Sequence, residues 1–192
     1  MLRSLVCLLT LSLWTAAGVG PTAGQGKKDA PKDAKPGEAK FQLSRAEQTI
    51  LDLTNKERAK QKLAPLKPNP VLFAVARDYS ANMAKKGRMD HFLDGKNPAQ
   101  RALAGGYDYK HVGENLGESE GAVPLPVIMR GWMNSKHHRD NILKPEFTEI
   151  GLGLARSGRG ITYYTQLFGT PRKKAAPAPK PDGPARDGKQ PR

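Results

Sequence analysis

The spacing of apolar residues changes once along this chain, from a helical period to a strand period, and that switch constrains the fold more than any other feature. After Pro145, Glu149-Ile150-Gly151-Leu152-Gly153-Leu154 alternates, Ser157-Gly158-Arg159-Gly160 makes a turn, and Ile161 to Phe168 is rich in β-forming residues. That pattern predicts a hairpin. What precedes it reads as helical. Ser44-Arg45-Ala46-Glu47 is a capping box that opens a helix running to about Gln61, with Ile50, Leu53, Thr54 and Glu57 on one face. Asn69-Pro70 offers an N-cap followed by proline at the first helical position. Leu72, Val75, Ala76, Tyr79 and Met83 follow at helical spacing, and Gly87 fits the residue just past that helix. Asn97-Pro98 repeats the start for a short helix that Gly105-Gly106 ends, and a further helix carries Val127, Ile128, Met129, Trp132 and Met133. Helices first and strands last predict an α+β layered domain, not a parallel βαβ sheet.

The core alone must stabilise that domain, because the chain has one cysteine, Cys7, and no second to pair with it. Cys7 lies in a leader. Met1-Leu2-Arg3 is a short basic start, Leu5 to Trp14 is apolar, and Ala16-Ala17-Gly18 supplies small residues for cleavage, so residues 1–20 read as a signal peptide. The apolar run falls short of the roughly 20 residues that a membrane span needs, with an uncleaved anchor as the alternative. Cleavage would leave a mature chain with no transmembrane span, secreted or associated with the cell envelope. Residues 21–40 read as a disordered spacer and residues 171–192 as a disordered, basic, Pro/Ala-rich tail, leaving 41–170 as one folded domain. Of the formal charge of +14, the domain holds only +6, the spacer +2 and the tail +5. Such tails either attract anionic surfaces, among them phosphate-bearing wall polymers and membranes, or simply solubilise the chain. Export argues against nucleic acid as a partner.

The residues able to carry chemistry lie in the central third. The chain has four histidines, His91, His111, His137 and His138. His91 follows a helix end in Gly87-Arg88-Met89-Asp90-His91-Phe92, and Glu114 lies in the glycine-flanked segment Gly113-Glu114-Asn115-Leu116-Gly117. Imidazole with carboxylate suits divalent-metal binding or general acid–base chemistry. It equally suits hydrogen-bonded residues that pin loops together. No HExxH is present, and spacing alone does not choose. Ser135, three residues before His138, could touch it, but no nucleophile elbow surrounds the serine, and capping of a helix end explains it more simply. His137 reads as an exposed neighbour. Strand alternation puts His111 on the opposite face from Glu114 or on a loop. Asn141 and Arg139 read as holding the loop that carries His138, with Trp132, Ile142, Leu143 and Phe147 as core beneath it.

The succession GRMDH, GENLG, GWMNSKHHRDNIL, FTEIGLGLA and YYTQLFG resembles the bacterial branch of the superfamily of cysteine-rich secretory proteins, antigen 5 and pathogenesis-related 1 proteins. The resemblance spans about residues 44–170. It implies a three-layer α-β-α sandwich with a central antiparallel sheet and a shallow cleft lined by two histidines and two acids. By motif, His91 and His138 match the histidines and Glu114 the first acid. The second acid of the family follows the helical tryptophan by three positions, where this chain has Ser135. His91, Glu114 and His138 are thus the implied metal ligands, and two imidazoles with one carboxylate could hold zinc with an open position.

Two functions compete, and the sequence does not settle whether the chain is an enzyme. One is a non-enzymatic extracellular binding module for an envelope lipid, glycan or protein, a role the resemblance implies. The other is a metal-assisted hydrolase or peptidase using His91, Glu114 and His138. A structural envelope protein with a vestigial cleft is a third.

Overall fold

The computed structural model describes residues 41–172. The segments expected to be a signal peptide (1–20) and a spacer (21–40), and the expected tail from residue 173 onward, lie outside the described residues. Ser44 caps α1 (Arg45–Lys60) with a complete capping box to Glu47. Asn69 caps α2 (Pro70–Lys86), which ends on Gly87 at φ 62°, and Asn97 caps α3 (Pro98–Ala104). Each of these starts is where the cap chemistry placed it. α4 (Leu125–Asn134) and α5 (Lys136–Ile142) are separate helices that meet at Ser135, whose extended backbone (φ −89°, ψ 122°) makes the helix end expected there, and the second short helix is new.

Four strands form one sheet in the order β1-β3-β4-β2. The predicted hairpin is β3 (Glu149–Arg156) with β4 (Ile161–Pro171), antiparallel from Glu149↔Gly169 to Arg156↔Thr162. The long β2 (Tyr109–Glu120) pairs antiparallel with β4 on its other side. The two-residue β1 (Lys67–Pro68) adds to β3 in parallel, so the expected antiparallel sheet carries one short parallel edge. The ordered domain runs two residues beyond the expected boundary, since Pro171 ends β4 and Arg172 binds Asp108 through backbone and side chain.

The two faces of the sheet carry different layers, as strand alternation requires. Tyr163 and Leu167 of β4 pack with residues of α2. Tyr164 and Phe168, one residue along, pack with α1, α4 and α5 around Ile50, Trp132, Ile142 and Phe147. Glycine decides how close α2 can come. A Cβ on Gly151 would collide with the Leu72 carbonyl, and one on Gly153 with that of Ala76. Gly151→Ala therefore has to push α2 off the sheet. It should lower stability by about 2–3 kcal/mol, read as a fall in the urea midpoint, and an unchanged midpoint would show that α2 can shift freely.

One buried face differs from its prediction. On α1 the inward residues are Glu47, Ile50, Leu51, Thr54 and Arg58, while Leu53 and Glu57 are only partly buried. The true stripe includes a charged residue, Arg58, that apolar periodicity cannot register.

Candidate functional site

β2 is an edge strand, and its alternation divides the site between two faces. Glu114 and Leu116 point toward α2 and α3, where Leu116 packs with Tyr79 and Met83. Gly113, Asn115 and Gly117 point to the other layer. Cβ atoms on Gly113 and Gly117 would touch Phe147 and Trp132 respectively, so backbone and aromatic ring pack directly there.

Glu114 is sealed into its face, with a side chain 2% exposed. His91 Nδ1 lies 2.8 Å from its Oε1. Arg101 of α3 donates Nη2–H to both carboxylate oxygens, at 2.9 and 2.7 Å. The same guanidinium donates Nη1–H to the carbonyls of His91 (3.0 Å) and Lys96 (2.6 Å), and it stacks on the Tyr79 ring 3.3 Å from the centroid. Arg101 thus neutralises the carboxylate and ties the His91 loop to α3 at once. The imidazole itself faces outward, with the His91 side chain 53% exposed. Its neighbours in sequence, Met89 and Phe92, are exposed as well.

His138 is held from the opposite face. Asn115 donates to the His138 carbonyl (2.9 Å) and to Gln166 Oε1 (3.1 Å), and Gln166 donates to Thr54 Oγ1 (2.9 Å). Asn141 donates to Asn115 Oδ1 (2.9 Å) and to the Glu114 carbonyl (3.2 Å), so it anchors α5 as expected. Arg139 binds the Met133 carbonyl across the α4–α5 junction. This buried chain from α1 through β4 and β2 to α5 fixes where His138 sits, and every member is satisfied, as low-dielectric burial demands.

Burial, then the charges of His91 and His137, hold the His138 imidazole below its usual pKa, so it is neutral at pH 7. The unfolded chain takes up that proton more readily than the folded one. Stability is thus full above about pH 6.5 and declines as the pH falls toward the depressed folded value. His138→Asn should lose less of its urea midpoint between about pH 7 and 5 than the parent does, and equal losses would contradict this.

The three expected ligands do not converge. Among the described residues no group of three or more His, Cys, Asp or Glu side chains is placed to hold a metal ion. The donor set does not fit zinc in this arrangement, because the Glu114 side chain is buried at 2% exposure, Arg101 already neutralises it, and the His91 Nδ1 is turned to its carboxylate. Ser135 marks the helix junction with its backbone, its side chain makes no cap bond, and among the described residues it makes no hydrogen bond to His138. His137 is exposed, and His111 lies on β2 opposite Thr170, on the face away from Glu114. Sequence reasoning missed Arg101, which in a seven-residue helix reads as one more solvated cation.

A model of the cysteine-rich secretory protein family matches residues 51–168. The protein YkwD of Bacillus subtilis is 36% identical over 154 residues, covering 80% of this chain and 58% of that protein. The membrane protein YlbC of the same organism is 33% identical over 124 residues, covering 64% of this chain and 34% of that protein. The chain thus spans about half or less of the length of these relatives. An extracellular protein containing an SCP domain from Bacillus anthracis superposes with a TM-score of 0.56 at 26% identity, over 68% of this chain and 45% of that one. An outer surface protein of Borrelia burgdorferi shares the fold, with a TM-score of 0.63 at 20% identity over 69% of this chain and 97% of that one. No helix among the described residues is long and apolar enough to cross a membrane.

Proposed function

Because the chain belongs to the cysteine-rich secretory protein family, we propose that it is an exported, non-enzymatic binding module that meets a component of the cell envelope with the cleft of His91, Glu114 and His138. The observation that carries this reading is the state of Glu114. A general base or a metal ligand needs an oxygen that substrate or metal can reach; here the Glu114 side chain is 2% exposed and paired with Arg101, and three of its roughly four acceptor sites are taken by Arg101 and His91. What this part of the surface offers outward is an exposed imidazole, the neutral His138 and the exposed Met89 and Phe92. The signal-like residues 1–20 and the extracellular relative in Bacillus anthracis support export. The basic residues of the spacer and tail add attraction to anionic surfaces.

The test is an NMR titration of the full chain with phosphatidylglycerol vesicles, soluble wall glycan and envelope protein extract in turn, reading the His91 and His138 ring resonances. One of the three should move both rings in the parent and fail to bind His91→Ala. Hydrolysis of a peptide or ester substrate that disappears in His91→Ala would instead establish the metal-assisted hydrolase, and silence toward all three probes would sink the binding module.

A further inference from the structure

A second site lies on the other side of Arg101. A cavity of about 440 Å3 opens between α2, α3 and the segment that joins them, within the roughly 300–1,000 Å3 range of small-molecule sites. The period of α2 builds one wall, since Val75, Asp78, Tyr79 and Asn82 fall at i, i+3, i+4 and i+7 on one face. Leu93 and Ala104 extend the apolar floor, and Asp94, Lys96 and Arg101 complete the polar part.

Its hydrogen-bonding capacity is unspent and mixed in sign. Among the described residues the Asp78 carboxylate makes no hydrogen bond or ion pair. Asn82 spends its amide nitrogen on Asp94 (2.7 Å), which leaves its oxygen as an acceptor. Asp94 is held in a left-handed conformation (φ 53°) and is neutralised by Lys86 at 2.7 Å. On the donor side, the Arg101 side chain is only 10% exposed, yet its buried Nε has no hydrogen-bond partner among the described residues. An orphaned donor of this kind is costly.

These features select a ligand class. A cation would meet Lys96 and Arg101, and an anion would meet Asp78 and Asp94. A lipid chain would leave the polar wall unsatisfied. A neutral ligand with an apolar face and a ring of hydroxyls matches every feature, because each hydroxyl donates to a carboxylate or amide oxygen and accepts from a cationic N–H. We propose that this cavity binds a sugar unit of a glycan, with Asp78 and Asn82 accepting from its hydroxyls, its apolar face on Val75 and Leu93, and one hydroxyl giving Arg101 Nε the acceptor it lacks after a small shift of the guanidinium. The site goes beyond the His91–His138 cleft and does not depend on it.

Backbone amide NMR of the full chain, titrated with N-acetylglucosamine and with its β-1,4-linked tetramer, tests this. Resonances of residues 78–82 and 93–96 should move with a dissociation constant near about 1 mM for the single sugar, and at least about tenfold lower for the tetramer. Asp78→Ala and Asn82→Ala should each weaken binding by about tenfold, and Asp78→Ala should do so with an unchanged melting temperature, since its carboxylate makes no hydrogen bond or ion pair among the described residues. His138→Ala, which alters the cleft and touches no cavity residue, should bind as the parent does. Shifts centred on His91 and His138 would support the cleft and overturn the cavity. No shift with either sugar up to about 50 mM, or unweakened binding in Asp78→Ala, would overturn it as well.

Discussion

Arg101→Met should lower the stability of the domain by about 3–5 kcal/mol at pH 7, the cost of leaving a buried carboxylate without its counter-ion. Glu114 has a side chain only 2% exposed, and Arg101 is the cation that faces it at 2.7 Å. Methionine fills much of the same space and can still lie on Tyr79, so the loss reports charge and hydrogen bonding more than volume. It also frees the carbonyls of His91 and Lys96 that Arg101 now holds. His91 Nδ1, 2.8 Å from Oε1, is then the partner left to the carboxylate. Arg101→Lys should recover only part of the loss, because one ammonium cannot reach a carboxylate and two carbonyls in different directions. Urea unfolding of the three proteins at pH 7 decides the matter, and a midpoint for Arg101→Met within the error of the parent would contradict this role.

The second large effect is expected at Arg58→Ala, at about 4–5 kcal/mol. Arg58 is 1% exposed and has no carboxylate partner among the described residues. Its guanidinium donates instead to the carbonyls of Ala64 (2.9 Å), Ile142 (2.8 Å), Lys144 (2.9 Å) and Phe147 (3.2 Å). Those carbonyls belong to the turn after α1, to the last residue of α5 and to the irregular segment that follows it, where no strand or further helical turn satisfies them. Burial lowers the Arg58 pKa, but an arginine remains charged. Alanine would leave the carbonyls orphaned and a cavity beside Phe147. Since the same segment leads out of α5, the His138 ring resonances should broaden or shift in any Arg58 variant that still folds. A midpoint within the error of the parent would refute this role.

The helices and the hairpin were legible because their signals are local. Ser44, Asn69-Pro70, Asn97-Pro98 and Gly87 each cap within one turn of where they stand, and the β3–β4 alternation lies between two clear punctuation marks. β2 was legible only as a choice between strand and loop. Its sequence Tyr109–Glu120 holds two glycines and three glutamates, and what makes it extended is pairing with β4, over 40 residues away in sequence. Glycine weakens a strand on its own account, yet Gly113 and Gly117 are there to let Phe147 and Trp132 lie against the backbone. The helix end at Ser135 was legible, but the short α5 that follows it was not, since its seven residues Lys136–Ile142 carry little apolar period.

The cleft was legible in part. Motif order gave His91, Glu114 and His138, and His91 and Glu114 do meet. The roles of those residues could not be read, because they depend on Arg101, whose burial arises only when α3 folds over β2. The same holds for Thr54, Gln166 and Asn115, three polar residues of different elements that share one network. Polar residues far apart in sequence give no periodic signal, and only tertiary structure shows that they satisfy each other.

Calorimetric titration of zinc into the metal-free full chain, beside His91→Ala and His138→Ala, tests most directly whether Glu114 is closed to metal and the cleft is a binding surface. Zinc should bind no tighter than about 10 μM, with the same weak heats in all three proteins. Binding tighter than about 10 μM that is lost in both variants would mean that the carboxylate leaves Arg101 for the metal, and would contradict the closed cleft.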